Sequence, residues 1–86
     1  MQIELSPEAY DHIKHWQKSG NKIILNKIEK LVESILVNPY EGIGKPEALK
    51  YNLSGYWSRR IDNEHRLVYT VKEDTIQILS MKGHYE

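Results

Sequence analysis

Eighty-six residues allow one domain, expected over residues 1–86, with a small core. Twelve Lys and Arg balance twelve Asp and Glu, so the formal net charge is zero with neutral histidines; general nucleic-acid binders are usually basic, and this balance argues against a protein that coats DNA or RNA while permitting one that handles a single phosphate. There is no cysteine, hence no disulfide framework and no thiolate chemistry, and no window approaches the ~20 apolar residues of a membrane span.

The first residues lack a basic start and an apolar run, so no signal peptide is expected and a cytoplasmic location fits. Residues 2–5 alternate polar and apolar and predict a short strand. Ser6-Pro7-Glu8 then reads as a helix start, with Ser as N-cap, Pro in the first turn and an acid after it. Tyr10, Ile13 and Trp16 share a face of this first helix, and Gly20 stops it. Asn21 caps a second helix with a broad apolar stripe through Ile24, Leu25, Ile28, Leu31, Val32, Ile35 and Leu36, ended by Asn38-Pro39. The short Ser19-Gly20-Asn21 joint predicts an antiparallel helical hairpin.

Residues 39–49, with two prolines and two glycines, predict an ordered loop. Strand patterns follow at Tyr51–Ser54, Trp57–Ile61, His65–Val71 and Thr75–Met81, with turns at Gly55, Asp62-Asn63-Glu64 and Glu73-Asp74. The fold class is α+β: a short N-terminal strand and a two-helix hairpin packed on one face of a twisted antiparallel sheet. Alternation puts Leu67, Tyr69 and Val71 toward the helices and Arg66, Val68 and Thr70 on the open face.

Most polar residues have bland readings. His12 and His15 are three apart on a helix, but no third ligand is suggested nearby, and no metal site is expected. Trp16 and Trp57 read as core or edge aromatics. There is no P-loop, dinucleotide glycine motif or serine-nucleophile signature. The arginines stand out: Arg59, Arg60 and Arg66 are all the chain has, and they fall within eight positions. Arginine's planar fork suits phosphate, although salt bridges to Asp62 and Glu64 would be the plain alternative. In a strand Arg59 and Arg60 point to opposite faces, so one of the two is structural. Glu47 in the loop and His84 near the end add a carboxylate and an imidazole. RNA carries its own nucleophile in the 2′-hydroxyl; cleavage then requires a base, an acid for the leaving 5′-oxygen and positive charge on the phosphorane, with no metal or other cofactor. Histidine suits the acid role. A carboxylate with a pKa of about 4.3 is a weak base unless its surroundings raise it. Tyr85 offers a ring for a base to stack on. From the residues alone, a metal-independent RNase and a phosphate-binding module both remain open.

Three stretches and the chain end then carry a resemblance over nearly the whole sequence: Tyr40-Glu-Gly-Ile-Gly-Lys-Pro-Glu-Ala-Leu-Lys50, Asn52-Leu-Ser-Gly-Tyr-Trp-Ser-Arg-Arg-Ile61, Glu64-His-Arg-Leu-Val-Tyr69 and His84-Tyr85. Together they resemble the YoeB/Txe toxins of the RelE/ParE superfamily. The resemblance implies the toxin of a type II toxin–antitoxin pair: an endoribonuclease that enters the A site of the 70S ribosome and cuts mRNA there, leaving a 2′,3′-cyclic phosphate and a 5′-hydroxyl. It implies Glu47 as general base, His84 as general acid, Arg66 as the phosphate-stabilising cation and Tyr85 as the residue that orients substrate. Lys50 and Arg59 match basic positions near the cut, and Lys45 is a further candidate for RNA phosphate. It also implies a YefM/Phd-like antitoxin partner, a homodimer, and operator DNA bound only through the toxin–antitoxin complex. Two positions depart from the pattern: Glu86 follows the His-Tyr pair, and Gly83 stands where relatives usually carry an aromatic. A gyrase-directed inhibitor of the ParE branch, an inert antitoxin-binding module and a free RNase are the competing readings.

Overall fold

The computed structural model describes residues 1–83. Strand β1 (Gln2–Leu5) leads into helix α1 (Pro7–Ser19) and helix α2 (Lys22–Val37). Four strands follow: β2 (Glu47–Ala48), β3 (Trp57–Arg60), β4 (Arg66–Lys72) and β5 (Thr75–Ser80). They form one five-stranded sheet in the order β1-β5-β4-β3-β2.

The helix boundaries follow local chemistry. The Ser6 hydroxyl accepts the Ala9 N–H at 3.0 Å, which satisfies one of the free donors at the start of α1. The same hydroxyl donates to the Leu79 carbonyl at 2.7 Å and so ties this helix end to β5. Gly20 closes α1 in the left-handed region at φ 66°, and Asn21 caps α2 through its side chain, which accepts the Ile24 N–H.

The core lies between the helices and one sheet face. Ile24, Ile28, Leu31 and Ile35 form the buried row of α2, with Leu25 and Val32 partly buried beside them. On α1 Ala9 and Trp16 are buried, with Ile13 partly buried between them, whereas Tyr10 is half exposed. Leu67 and Tyr69 meet the helices as alternation predicts, with Val71 packed at the margin. Val68 lies on the Arg66 side, yet it too is fully buried.

Three local expectations are corrected. The sheet is mixed, because β1 pairs parallel with β5, from Gln2 opposite Thr75 to Leu5 opposite Ile78. Such a pairing requires a long crossover, and here the whole chain between them supplies it. Tyr51–Leu53 is a 3₁₀ turn, not a strand: Leu53 and Ser54 donate back to Lys50 and Tyr51 carbonyls, and Tyr51 sits at φ 59°. The loop of residues 39–49 contains β2, whose Glu47 and Ala48 pair antiparallel with Ser58 and Trp57.

Candidate functional site

The open face of the sheet is assembled from register. Glu47 stands opposite Ser58, and Ser58 opposite Val68. Arg60 stands opposite Arg66, one pleat further along. Directly opposed residues share a face, so Glu47, Arg60 and Arg66 lie on the side away from the helices. Glu47 and Arg66 are two strands and two residues apart. At about 4.8 Å per strand and about 3.3 Å per residue, their Cα atoms are roughly 11–12 Å apart. A ribose and its phosphate fit between side chains reaching inward from those positions.

Glu47 is exposed, and among the described residues its carboxylate takes part in no hydrogen bond or ion pair. Arg66 is partly buried at the first residue of β4. Its Nη1 donates to the Asp62 carbonyl at 2.7 Å and to the His65 carbonyl at 3.1 Å. These contacts hold the guanidinium at its base and, among the described residues, leave Nε and Nη2 available to an anion. Lys45 and Lys50 flank Glu47 in sequence and are exposed.

Arg59 corrects the expectation that it faces RNA. It is fully buried on the helix side of β3, opposite Leu67. Its Nε donates to the Tyr69 hydroxyl (3.1 Å), Nη1 to Ser34 Oγ (2.7 Å) and the Ile43 carbonyl (3.2 Å), and Nη2 to the carbonyls of Asn38 (2.7 Å) and Glu41 (3.0 Å). Five acceptors match the five N–H donors of a guanidinium. The cation is therefore spent on holding the loop between α2 and β2. Tyr69 joins it: the hydroxyl donates to the Pro39 carbonyl at 2.5 Å, and burial raises its pKa, the Arg59 bond only partly opposing this.

The loop is also tight. Gly42 has φ 135°, and a Cβ there would lie 2.3 Å from Ser34 Oγ and 3.0 Å from Arg59 Nη1. Gly44, at φ 83°, would place one 2.6 Å from Leu31 Cδ2. The Gly44 carbonyl then accepts the Arg60 N–H at 2.6 Å, and three residues later Glu47 enters the sheet. Gly-Ile-Gly is thus a docking surface for Arg59, and its effect is to fix where Glu47 emerges.

His84 and Tyr85, expected as acid and substrate-orienting residue, lie outside the described residues, as does Glu86. The segment before them is anchored beside Arg66: the Gly83 carbonyl accepts the Arg66 N–H at 2.8 Å, and the Gly83 N–H donates to His65 Nδ1 at 2.9 Å. His65 went unmarked in the sequence as a site residue. Its one signal is an inward-capable imidazole immediately before Arg66. Among the described residues no group of three or more His, Asp or Glu could hold a metal ion.

Comparison with known proteins identifies the family and the fold. The family model described as "YoeB-like toxin of bacterial type II toxin-antitoxin system" matches residues 5–85. Toxin YoeB of Escherichia coli (strain K12) is 46% identical over 85 residues, covering 99% of this chain and 100% of its own. The YoeB/ParE toxin from Agrobacterium tumefaciens superposes with a TM-score of 0.95 at 34% identity, covering 99% of this chain and 100% of that one. The Staphylococcus aureus YoeB dimer gives a TM-score of 0.90 at 51% identity over 99% of this chain and 98% of that one, and the same toxin is known in a heterotetrameric complex with YefM. With sequence and fold matching over nearly the whole chain, the chain belongs to the YoeB-like toxin family of bacterial type II toxin–antitoxin systems.

Proposed function

We propose that this toxin is a ribosome-dependent endoribonuclease that cuts mRNA in the A site. The observation that carries the reading is the open sheet face, where Glu47 and Arg66 stand about one nucleotide apart with the anchored Gly83 beside Arg66. Glu47 takes the proton of the 2′-hydroxyl, which attacks the adjacent phosphorus. Arg66 donates to the oxygens that gain charge in the pentavalent transition state, when such donors count most. His84 protonates the departing 5′-oxygen, and Tyr85 stacks on or orients the nucleotide. The products are a 2′,3′-cyclic phosphate and a 5′-hydroxyl. Proton transfer at each end contributes on the order of 10²–10⁴-fold. Lys45 and Lys50 meet backbone phosphates, and Arg60, paired with Arg66 on the open face, takes the place first expected of Arg59.

Zero net charge supports dependence on the ribosome, which brings the RNA so that the toxin needs only a local cationic site. The S. aureus complex and dimer support a YefM-like antitoxin partner and a homodimeric toxin. Operator DNA is then bound only through the toxin–antitoxin complex, and the toxin acts in the cytoplasm.

Primer extension on a defined mRNA, with and without programmed ribosomes, tests the reading. Wild type is expected to cut in the A-site codon only when ribosomes are present, and Glu47→Ala to leave the message intact. Equal cutting of naked RNA would make it a free RNase. No cutting, with inhibition of gyrase supercoiling instead, would move it to the ParE branch.

A further inference from the structure

The open face continues past Glu47 and Arg66 to a cleft that the cleavage chemistry leaves unused. Opposed residues build it in one row: Glu4 on β1 stands opposite Gln77 on β5, and Gln77 opposite Thr70 on β4. The β3–β4 register, with Trp57 opposite Tyr69, carries on to set Tyr56 beside Thr70. The Thr70 hydroxyl donates to the Gly55 carbonyl at 2.8 Å and so fixes the chain entering Tyr56. Between Tyr56, Leu79, Gln77, Glu4 and Ser6 lies a hollow of ≈ 230 Å³. Pockets for drug-sized ligands begin near about 300 Å³, so this one has room for a single flat ring system. Its Ser6 wall is fixed in advance, because the Ser6 N–H donates to the Ile78 carbonyl at 2.9 Å and the hydroxyl to the Leu79 carbonyl at 2.7 Å.

The walls and the polar end differ in chemistry. Tyr56 and Leu79, both partly buried, supply an aromatic and an aliphatic surface. At the polar end Gln77 Nε2 donates to Glu4 Oε1 at 3.3 Å. A carboxylate only accepts, so this contact turns the amide NH₂ toward Glu4 and the amide carbonyl away from it. Among the described residues, neither that carbonyl nor the second Glu4 oxygen takes part in a hydrogen bond or ion pair. Two acceptors therefore stand side by side at the end of an apolar slot. They suit a base edge with two adjacent donors. Guanine has that edge, in N1–H and its exocyclic amine. Adenine and cytosine offer an amine beside an acceptor, and uracil offers one N–H between two acceptors.

We propose that this cleft is a base subsite, in which Tyr56 stacks on a guanine flanking the cut while Gln77 and Glu4 read its Watson–Crick edge. This rests on the nuclease reading above. The row of Tyr56 and Gln77 lies about three residues, or about 10 Å, along the strands from the midpoint of Glu47 and Arg66, and Gln77 about two strands, or about 10 Å, to the side. The base of the nucleotide under attack falls short of a site roughly 14 Å away, whereas the base of a neighbour splayed from an unstacked strand arrives there.

The test varies message and protein together. Ribosome-dependent kcat/KM is measured on messages carrying G, A, C, U or inosine at each position flanking the cut. Wild type is expected to favour G at one of these positions by about 10-fold or more, and inosine, which lacks the exocyclic amine, to lose most of that advantage. Gln77→Leu keeps a strand-compatible side chain and removes the acceptor; it is expected to bring the four bases within about threefold of one another. Tyr56→Leu is expected to raise KM for all of them, as loss of a stacking surface does. No base preference in the wild type, or a preference that Gln77→Leu leaves intact, would overturn the subsite while the nuclease reading stands. If the protein cuts nothing, ¹H–¹⁵N NMR titration with the 5′-monophosphates of guanosine, inosine and adenosine decides instead. The guanosine nucleotide is expected to shift the Gln77 side-chain amide and the Leu79 backbone amide, the other two much less, and Gln77→Leu to erase the difference. Equal or absent shifts would overturn the proposal. Guanosine-selective shifts in a protein that cuts nothing would uphold the cleft as a guanine site and sink the nuclease reading.

Discussion

Arg59 brings a full positive charge into the interior with no carboxylate among the described residues to pair it. What makes this tolerable is geometry. Each N–H points at a carbonyl or hydroxyl oxygen, and the guanidinium also lies 5.9 Å from the Tyr69 ring centroid. A lysine at this position has three donors on one atom and cannot span acceptors on α2, the following loop and β4. Arg59→Lys is therefore expected to destabilise by about 2–4 kcal/mol, read as a lower urea midpoint, because it leaves buried acceptors unmet. Arg66→Ala is its counterpart on the other face. It should leave the unfolding midpoint within the range of an ordinary surface change, about 0.5 kcal/mol. It should also cut the ribosome-dependent rate by about 10²–10³-fold, the usual cost of a lost charge-stabilising donor. If Arg66→Ala unfolds the protein, its role is structural. The sequence showed that three clustered arginines mattered, and the pleat rule showed that Arg59 and Arg60 diverge. It could not show which of the two faced inward: alternation placed Leu67 toward the helices, but only the register between β3 and β4 puts Arg59 opposite Leu67.

The connecting elements carry as much of the site as the strands. Gly42→Ala would force a Cβ against Ser34 Oγ and Arg59 Nη1 at a φ that disfavours any side chain. A loss of about 1–3 kcal/mol follows from strain and overpacking. Because the displaced loop feeds β2, activity should fall further than stability explains, which single-turnover cleavage at a temperature well below the midpoint would reveal. Helix ends were legible because capping is local: Ser6, Pro7, Gly20 and Asn21 announce themselves within four residues. The 3₁₀ turn at Tyr51–Leu53 and the two-residue β2 were not. A tetrapeptide with one aromatic and one leucine can pass for a strand without strand partners, and two residues are too few for any periodicity. Only the pairing of Glu47 with Ser58 reveals that the carboxylate sits on the same surface as Arg66.

At the scale of the molecule, charge and protonation set the working conditions. With net charge zero, few phosphates are neutralised, so binding to naked RNA should be weak and its affinity should fall only gently with salt. A log–log slope steeper than about −5 would contradict the local-site picture. Stability should also depend on pH through His12. Its folded pKa lies below the unfolded 6.5, so the unfolded chain binds more protons between the two values. That contribution is complete above 6.5 and is lost as pH falls through the folded value. Thermal unfolding followed down from neutrality should show the decline, and His12→Asn should flatten it.

The parallel pairing of β1 with β5 has one more result, in the order of synthesis. The first strand, the start of α1 and the Trp16 indole all find their partners between Thr75 and Met81. A nascent chain lacks those partners until residues 75–81 have been made. The native sheet, and the open face it carries, cannot be completed until residues 75–81 have been synthesised.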